Sequence, residues 1–185
     1  MRNRGAVLVA VSAVLLASPL AAQRRGSVEV GGFVGYANYD NTLPLGNLIG
    51  NFGGRIGVHV LPVLAVEFDV ATAKKNDVTA TPMHFWLVYT VPPVSHSEVI
   101  VGGGYVRNKY TGAYEAKDNG IAGFFGVRHR VGNMFAVRLD GHTDFVPSPA
   151  NKSHQSSFNG NWGIQLGFSV LLNRGSGAAA PVPGR

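Results

Sequence analysis

From residue 23 onward apolar residues recur at every second position, and no stretch carries the 3.6-residue period of an amphipathic helix. Eight segments read as strands. In 27–36, Val28, Val30, Gly32, Val34 and Tyr36 share one face. In 52–61, Ile56, Val58 and Val60 stand opposite Arg55, Gly57 and His59. In 64–73, Leu64, Val66, Phe68 and Val70 stand opposite Glu67 and Asp69. The fourth, 83–91, holds the unbroken run Phe85, Trp86, Leu87, Val88 and Tyr89, and the fifth, 98–106, has no clear face. In 120–130, Ile121, Gly123, Phe125 and Val127 oppose Arg128. In 134–142, Phe135, Val137 and Leu139 oppose Arg138, Asp140 and His142. The last, 162–172, sets Trp162, Ile164, Leu166, Phe168, Val170 and Leu172 against Gln165 and Ser169.

These segments are long for strands of a small soluble protein, and close to the ~9–11 residues a tilted strand needs to cross a bilayer. The connections alternate in length. Those at 62–63, 92–97 and 131–133 are short; those at 37–51, 74–82, 107–119 and 143–161 are longer. An even number of strands, with short turns at one end and long loops at the other, predicts an all-β, eight-stranded antiparallel up-and-down transmembrane barrel. Both chain ends then lie on the short-turn side. A closed barrel also leaves no backbone group unpaired in lipid.

The two faces of each strand then meet different surroundings. Glu29, Arg55, Glu67, Asp69, Arg128, Arg138 and Asp140 all lie opposite the apolar face, with His142 beside Asp140. Turned outward near the bilayer midplane, an Arg or Lys would cost ~2–4 kcal/mol. Turned inward, three Arg and four carboxylates meet in a space that eight strands leave barely wide enough for side chains. The expectation is a plugged, ion-paired lumen, with Gly57, Gly126 and Gly167 making room for the arginines. Periodicity does not distinguish inside from outside, and a soluble lipocalin-like carrier would sort its faces the other way. The alternating connections, the strand length and the aromatics near strand ends (Tyr36, Phe52, Tyr105 and Trp162 on the loop side, Tyr89 and Phe135 near the turns) favour the membrane barrel.

Composition narrows the rest. Of 185 residues, 45% are hydrophobic and 14% charged, and none is cysteine. Disorder, a disulfide framework and thiolate zinc sites are thereby excluded. Residues 1–22 begin with Arg2 and Arg4, run apolar from Gly5 to Ala17 and end in small residues before Gln23: the pattern of a cleaved secretory signal peptide. Its loss lowers the net charge from +6 to +4. The remaining basic residues are scattered, so no nucleic-acid partner is expected. The barrel is expected over 23–173, and 174–185 reads as a flexible Ala/Pro/Gly-rich tail.

Three stretches carry a resemblance: Gly31-Gly32-Phe33-Val34-Gly35-Tyr36, Gly126-Val127-Arg128-His129-Arg130-Val131 and the closing strand from Asn161 to Leu172. With them the chain resembles the small bacterial outer-membrane β-barrel proteins of the OmpA/OmpX-like superfamily. The resemblance implies export to the outer membrane of a Gram-negative cell, contact with its lipid and lipopolysaccharide, and recognition by the barrel-assembly machinery during biogenesis. Gln165, Gly167, Val170 and Leu172 match the assembly signal in the closing strand, with Leu172 where a terminal aromatic is usual. In longer relatives a tail like this one leads to a peptidoglycan-binding domain, an activity not carried over here.

The resemblance also raises an enzymatic alternative, a lipid A deacylase with a His/Ser/Glu set near the rim. Asp140-Gly141-His142-Thr143-Asp144 is the nearest match, with Ser148, Ser153 and His154 beyond it. Asp144 stands where that set has a Ser, and parity turns His142 inward. His59 lies inward below Arg55, and His84, His96, His129 and His154 are dispersed without a metal-ligand spacing. Asn38, Asp40 and Asn41 suit a turn better than a calcium site. Gly102-Gly103-Gly104 lacks the helix and Lys of a phosphate loop. Lys74, Lys75, Arg107, Lys109 and Lys117 fall at the loop-side rim, within reach of lipopolysaccharide phosphates. The expectation is a non-enzymatic barrel with a structural or surface-interaction role, no cofactor and no metal. A deacylase-like enzyme, a narrow channel and a soluble carrier are the alternatives; ligand and oligomeric state stay open.

Overall fold

The computed structural model describes residues 26–91, 97–132, 134–150 and 158–172. The expected signal segment and tail lie outside the described residues, as do His96, Ser153 and His154. Eight strands follow in chain order: β1 (Val28–Asn38), β2 (Ile49–Leu61), β3 (Leu64–Lys75), β4 (Val78–Thr90), β5 (Ser97–Gly112), β6 (Ala116–Val131), β7 (Phe135–Val146) and β8 (Asn159–Leu172). Each pairs antiparallel with the next, and β8 pairs with β1 from Val28↔Leu172 to Asn38↔Trp162, closing the barrel. No strand edge is left open to a second chain.

All eight expected segments are strands, and most run further at the loop end. The segments 74–82 and 107–119, expected as loops, are largely drawn into the sheet. β3 and β4 stay paired as far as Lys75↔Val78, so only Asn76 and Asp77 turn. Both have positive φ (51° and 58°), the conformation of a two-residue hairpin turn that Asn and Asp tolerate. β5 and β6 pair as far as Tyr110↔Ala116. These extensions lack an apolar outer face: Thr79, Thr81, Arg107, Lys109 and Lys117 point outward while Val78, Ala80 and Tyr110 point in. Reading strands from outward apolar residues therefore stops short of them. Only 39–48 and 147–158 remain as long excursions.

The exterior is apolar on every strand. Val34, Phe52, Ile121, Phe125 and Leu139 are each more than half exposed, and Val66, Phe85, Ile164 and Phe168 do much the same. Such a continuous apolar surface exceeds what a soluble monomer shows. The interior holds two apolar clusters. One, near the loop end, brings Tyr39, Leu43 and Leu45 of the first excursion onto Ile49, Val78, Ala80 and Tyr110. The other joins Ala65, Trp86, Val88, Ile100 and Phe124 around mid-barrel. Glycine admits the large rings: a Cβ on Gly102 would overlap the ring of Phe124, and one on Gly53 the ring of Phe33.

Candidate functional site in the barrel interior

Between those clusters and beyond them toward the short turns the inward positions carry charge, in three tiers along the barrel axis. The first lies at the short-turn end. Arg128 on β6 donates from Nη1 to Glu29 Oε2 at 2.7 Å and from Nε to Glu98 Oε2 at 2.8 Å, and its Nη2 lies 3.3 Å from Thr90 Oγ1. Arg130 holds the other Glu98 oxygen at 2.7 Å, and Ser169 donates to Glu29 at 2.6 Å. Every charge here has an opposite partner, the condition under which buried ions are tolerated.

The second tier is central. Arg138 on β7 reaches both Glu67 oxygens from Nη1, at 2.8 and 3.1 Å, and Asp140 Oδ2 from Nε at 2.6 Å. Arg55 on β2 lies 3.3 Å from Asp140 and donates to Gln165 Oε1 at 3.0 Å. The guanidinium carbons sit over aromatic rings, Arg138 at 4.6 Å from the Phe124 centroid and Arg55 at 5.2 Å from that of Phe33.

The third tier, toward the loops, contains no arginine among the described residues. His84 on β4 is bracketed by carboxylates: Nδ1 lies 2.8 Å from Asp69 Oδ1 and Nε2 lies 3.1 Å from Asp144 Oδ1. Trp86 donates its indole N–H to the second Asp69 oxygen at 2.6 Å and stacks on the His84 ring at 4.8 Å. His142 packs edge-on against His84, with centroids 5.4 Å apart. One ligand atom each from His84, His142 and Asp144 falls within 4.8 Å of the other two.

The structure thus brings Glu29 and Arg128 together, and Arg55, Glu67, Arg138 and Asp140 together. Asp69 and His142 border the central group without an ion pair to its arginines: Asp69 hydrogen-bonds to His84 and Trp86 instead. Three participants were missed. Glu98 sits on the strand whose face was unclear, and Arg130 ends the segment in which only Arg128 was assigned. His84 is brought to Asp144 by barrel closure across 60 positions, which no local spacing reveals. Asp144 was missed as well, although its spacing from His142 offers a signal, because residues two apart on a strand share a face. The expectation for glycine needs correcting too. A Cβ on Gly57 would meet Glu67 Cγ at 2.8 Å, one on Gly126 would meet Asp140 Cβ at 2.6 Å, and one on Gly167 would meet Phe33 Cβ at 3.4 Å. Gly57 and Gly126 admit carboxylate side chains rather than guanidinium groups, and Gly167 borders the Gly32 backbone and the Phe33 Cβ.

Among the described residues the hydrolase alternative finds no set of groups. His142 faces the interior against His84, while Ser148 is exposed in the last excursion. His59 is buried on the inward face of β2, and His129 lies 2.9 Å from Ser97 Oγ at the surface. Asp40 forms the expected turn, accepting from the Thr42 N–H at 3.0 Å and the Thr42 hydroxyl at 2.8 Å. Burial would raise its pKa, but these two bonds and the Gly160 N–H outweigh it, and the carboxyl is held below its ordinary value. Of the closing-strand signal, Gln165 and Gly167 face inward, whereas Leu172 is half exposed and Val170 shares its outward side.

No protein-family model matches the chain, and no curated protein matches its sequence. Solved structures do match its fold. The N-terminal β-barrel domain of Pseudomonas aeruginosa OprF aligns with a TM-score of 0.62 at 15% identity, over 81% of this chain and 100% of that one. Neisserial surface protein A aligns at 0.62 and 14% identity, over 78% and 98%. The outer membrane protein OprG of Pseudomonas aeruginosa aligns at 0.57 and 12% identity, over 82% and 98%. The chain therefore has the fold of small eight-stranded outer-membrane β-barrels.

Proposed function

We propose that this chain is an integral outer-membrane β-barrel protein, exported by a cleaved signal peptide, with a structural or surface-interaction role rather than an enzymatic one. One observation carries the reading: the apolar residues face outward all round a closed barrel, and the buried charges face in. A soluble carrier needs the reverse sorting. The fold shared with OprF, Neisserial surface protein A and OprG supports the same location. In this reading the barrel-assembly machinery reads the closing strand through Gln165, Gly167, Val170 and Leu172. The exposed outward bases Arg107, Lys109 and Lys117 meet lipopolysaccharide phosphates, and the two long excursions form the contact surface.

The lumen in this reading is plugged by the two arginine tiers. Arg55, Arg128 and Arg138, each held by two carboxylates, do not move aside for a passing ion. The test is fractionation followed by gel electrophoresis. The protein is expected in the outer-membrane fraction, with a mobility in SDS that changes on boiling, because a ladder without edges resists detergent. Recovery as a soluble periplasmic protein without a heat-dependent shift overturns the reading. In planar bilayers the folded chain should give no steady conductance. A stable conductance that rises on Arg138→Ala would make the central tier a gate and the protein a narrow channel.

A further inference from the structure

The third tier has the parts of a transition-metal site. We propose that His84, His142 and Asp144 bind one zinc-like divalent ion inside the loop-side half of the barrel, with Asp69 and Trp86 as its outer support.

The ligand atoms are close to the required spacing. Zinc bonds of ~2.0–2.2 Å in a tetrahedron hold ligand atoms about 3.3–3.5 Å apart. Nε2 of His84 and Oδ1 of Asp144 are 3.1 Å apart, and all three ligand atoms fall within 4.8 Å. The His142 ring, edge-on to His84 with centroids 5.4 Å apart, supplies the third ligand atom. Three protein ligands leave the fourth position to water, as in open zinc sites. Two imidazoles with one carboxylate favour zinc, nickel or copper over magnesium or calcium.

The surroundings point the same way. A metal-bound histidine ordinarily donates its other ring N–H to a carboxylate, which fixes the tautomer and orients the ring. Asp69 lies in that position at 2.8 Å from Nδ1, leaving Nε2 directed toward Asp144. Trp86 pins the second Asp69 oxygen at 2.6 Å and stacks on the imidazole. Both degrees of freedom of the His84 ring are thus restrained before any ion arrives. Without metal, an imidazole bridging two carboxylates donates from both nitrogens as the cation. Binding exchanges the Nε2 proton for the metal ion and releases that proton to solvent. The arginine tiers have no such option, because a guanidinium is never a ligand at ordinary pH. Polar side chains continue from this tier toward the loops. Asn108 follows Val106 on the inward face of β5, and Asn159 and Asn161 precede Gly163, the partner of His142. Both side-chain amide atoms of Asn108 and the Nδ2 of Asn159 are buried without a partner among the described residues. Such groups call for water or a passing ion.

The test uses the full chain folded in detergent, stripped with chelator and titrated with Zn²⁺ by calorimetry. One zinc per chain is expected. His142→Ala should weaken binding at least 100-fold, and Asp69→Asn 10- to 100-fold at unchanged stoichiometry, the size of effect usual for an outer support. A variant lacking His96, His129 and His154 should bind as the parent does. No zinc uptake by the parent, binding by His142→Ala equal to the parent's, or loss of binding in that triple variant overturns the proposal. Unboiled gel mobility shows whether each variant is folded. If His142→Ala is not, cobalt in the parent decides. Intense visible bands of a four- or five-coordinate ion support the site, and the faint spectrum of an octahedral ion overturns it.

Discussion

The two ends of the barrel interior solve the problem of buried charge differently. Toward the short turns, four guanidinium groups (Arg55, Arg128, Arg130, Arg138) face four carboxylates (Glu29, Glu67, Glu98, Asp140) at distances down to 2.6 Å. Toward the loops, Asp69 and Asp144 face imidazoles instead. An arginine is always charged, so its tier is fixed at one composition. An imidazole, unlike a guanidinium, can give up a ring proton and bind a metal through that nitrogen. The first half therefore holds fixed charges, and the second holds groups that the proposed site would let trade a proton for a metal ion. Their surroundings agree. Among the described residues, Asn51 Oδ1, both amide atoms of Asn108 and Asn159 Nδ2 lack partners in the loop-side half; at the turn end Ser27 Oγ does, while Glu29, Thr90 and Ser169 are bonded.

The largest test of this contrast is Arg128→Met. It leaves Glu29 with only Ser169 and Glu98 with only Arg130. Removing one partner of a buried ion pair costs about 3–5 kcal/mol, more than the pair itself contributes. Urea unfolding of the chain folded into lipid vesicles should register that loss. A change below about 1 kcal/mol would show that water already reaches this tier, and the contrast between the halves would fall.

A smaller effect is expected from His84→Gln in the presence of chelator. Trp86 still donates to Asp69, Gln retains a donor, and Asp144 lies near the mouth. The loss should be about 1–2 kcal/mol, as for a buried hydrogen bond whose partner finds a substitute. A loss equal to that of Arg128→Met would mean that the loop-side carboxylates are as dry as the others. The exchangeable half would then be a rigid one.

The same division separates what the amino-acid sequence discloses from what it does not. Strand alternation with charge confined to one face places Glu29, Arg55, Glu67, Arg128, Arg138 and Asp140 inside the barrel, because a period of two leaves two faces and the other is apolar. It fails where the outer face loses its apolar residues, at Thr79, Thr81, Lys109 and Lys117, and so the hairpin extensions are illegible. It also fails on 98–106, where three consecutive glycines erase the contrast between faces and hide Glu98. The pairing of tiers is a matter of closure. Asp69 and His84 are neighbours in the β3–β4 register, yet His84 and Asp144 meet only across the lumen. Side chains that cross a barrel depend on stagger, which alternation does not encode.

The smallest expected effect lies at the mouth itself, where the first excursion is tied to the last strand. Asp40 accepts from the Thr42 backbone and hydroxyl and from the Gly160 N–H at 3.3 Å, while its own N–H donates to Asn161 Oδ1 at 3.1 Å. The first three bonds favour the carboxylate, so its folded pKa lies below the unfolded one despite the opposing effect of burial. The sign follows: the contribution is present above the unfolded pKa of about 4 and fades as pH falls through the folded value. Because the group is largely exposed, solvent screens it, and Asp40→Asn should cost less than about 1 kcal/mol at neutral pH. The difference between parent and variant should shrink on acidification below pH ~4, when the parent's carboxyl also becomes neutral. Unfolding midpoints of the two proteins at pH ~7 and pH ~3 measure it. A penalty that persists undiminished at low pH would mean that the turn geometry, not the charge, holds the excursion over the Tyr39, Leu43 and Leu45 cluster. The mouth would then resemble the arginine tiers in rigidity, and the exchangeable region would end below it, at His84.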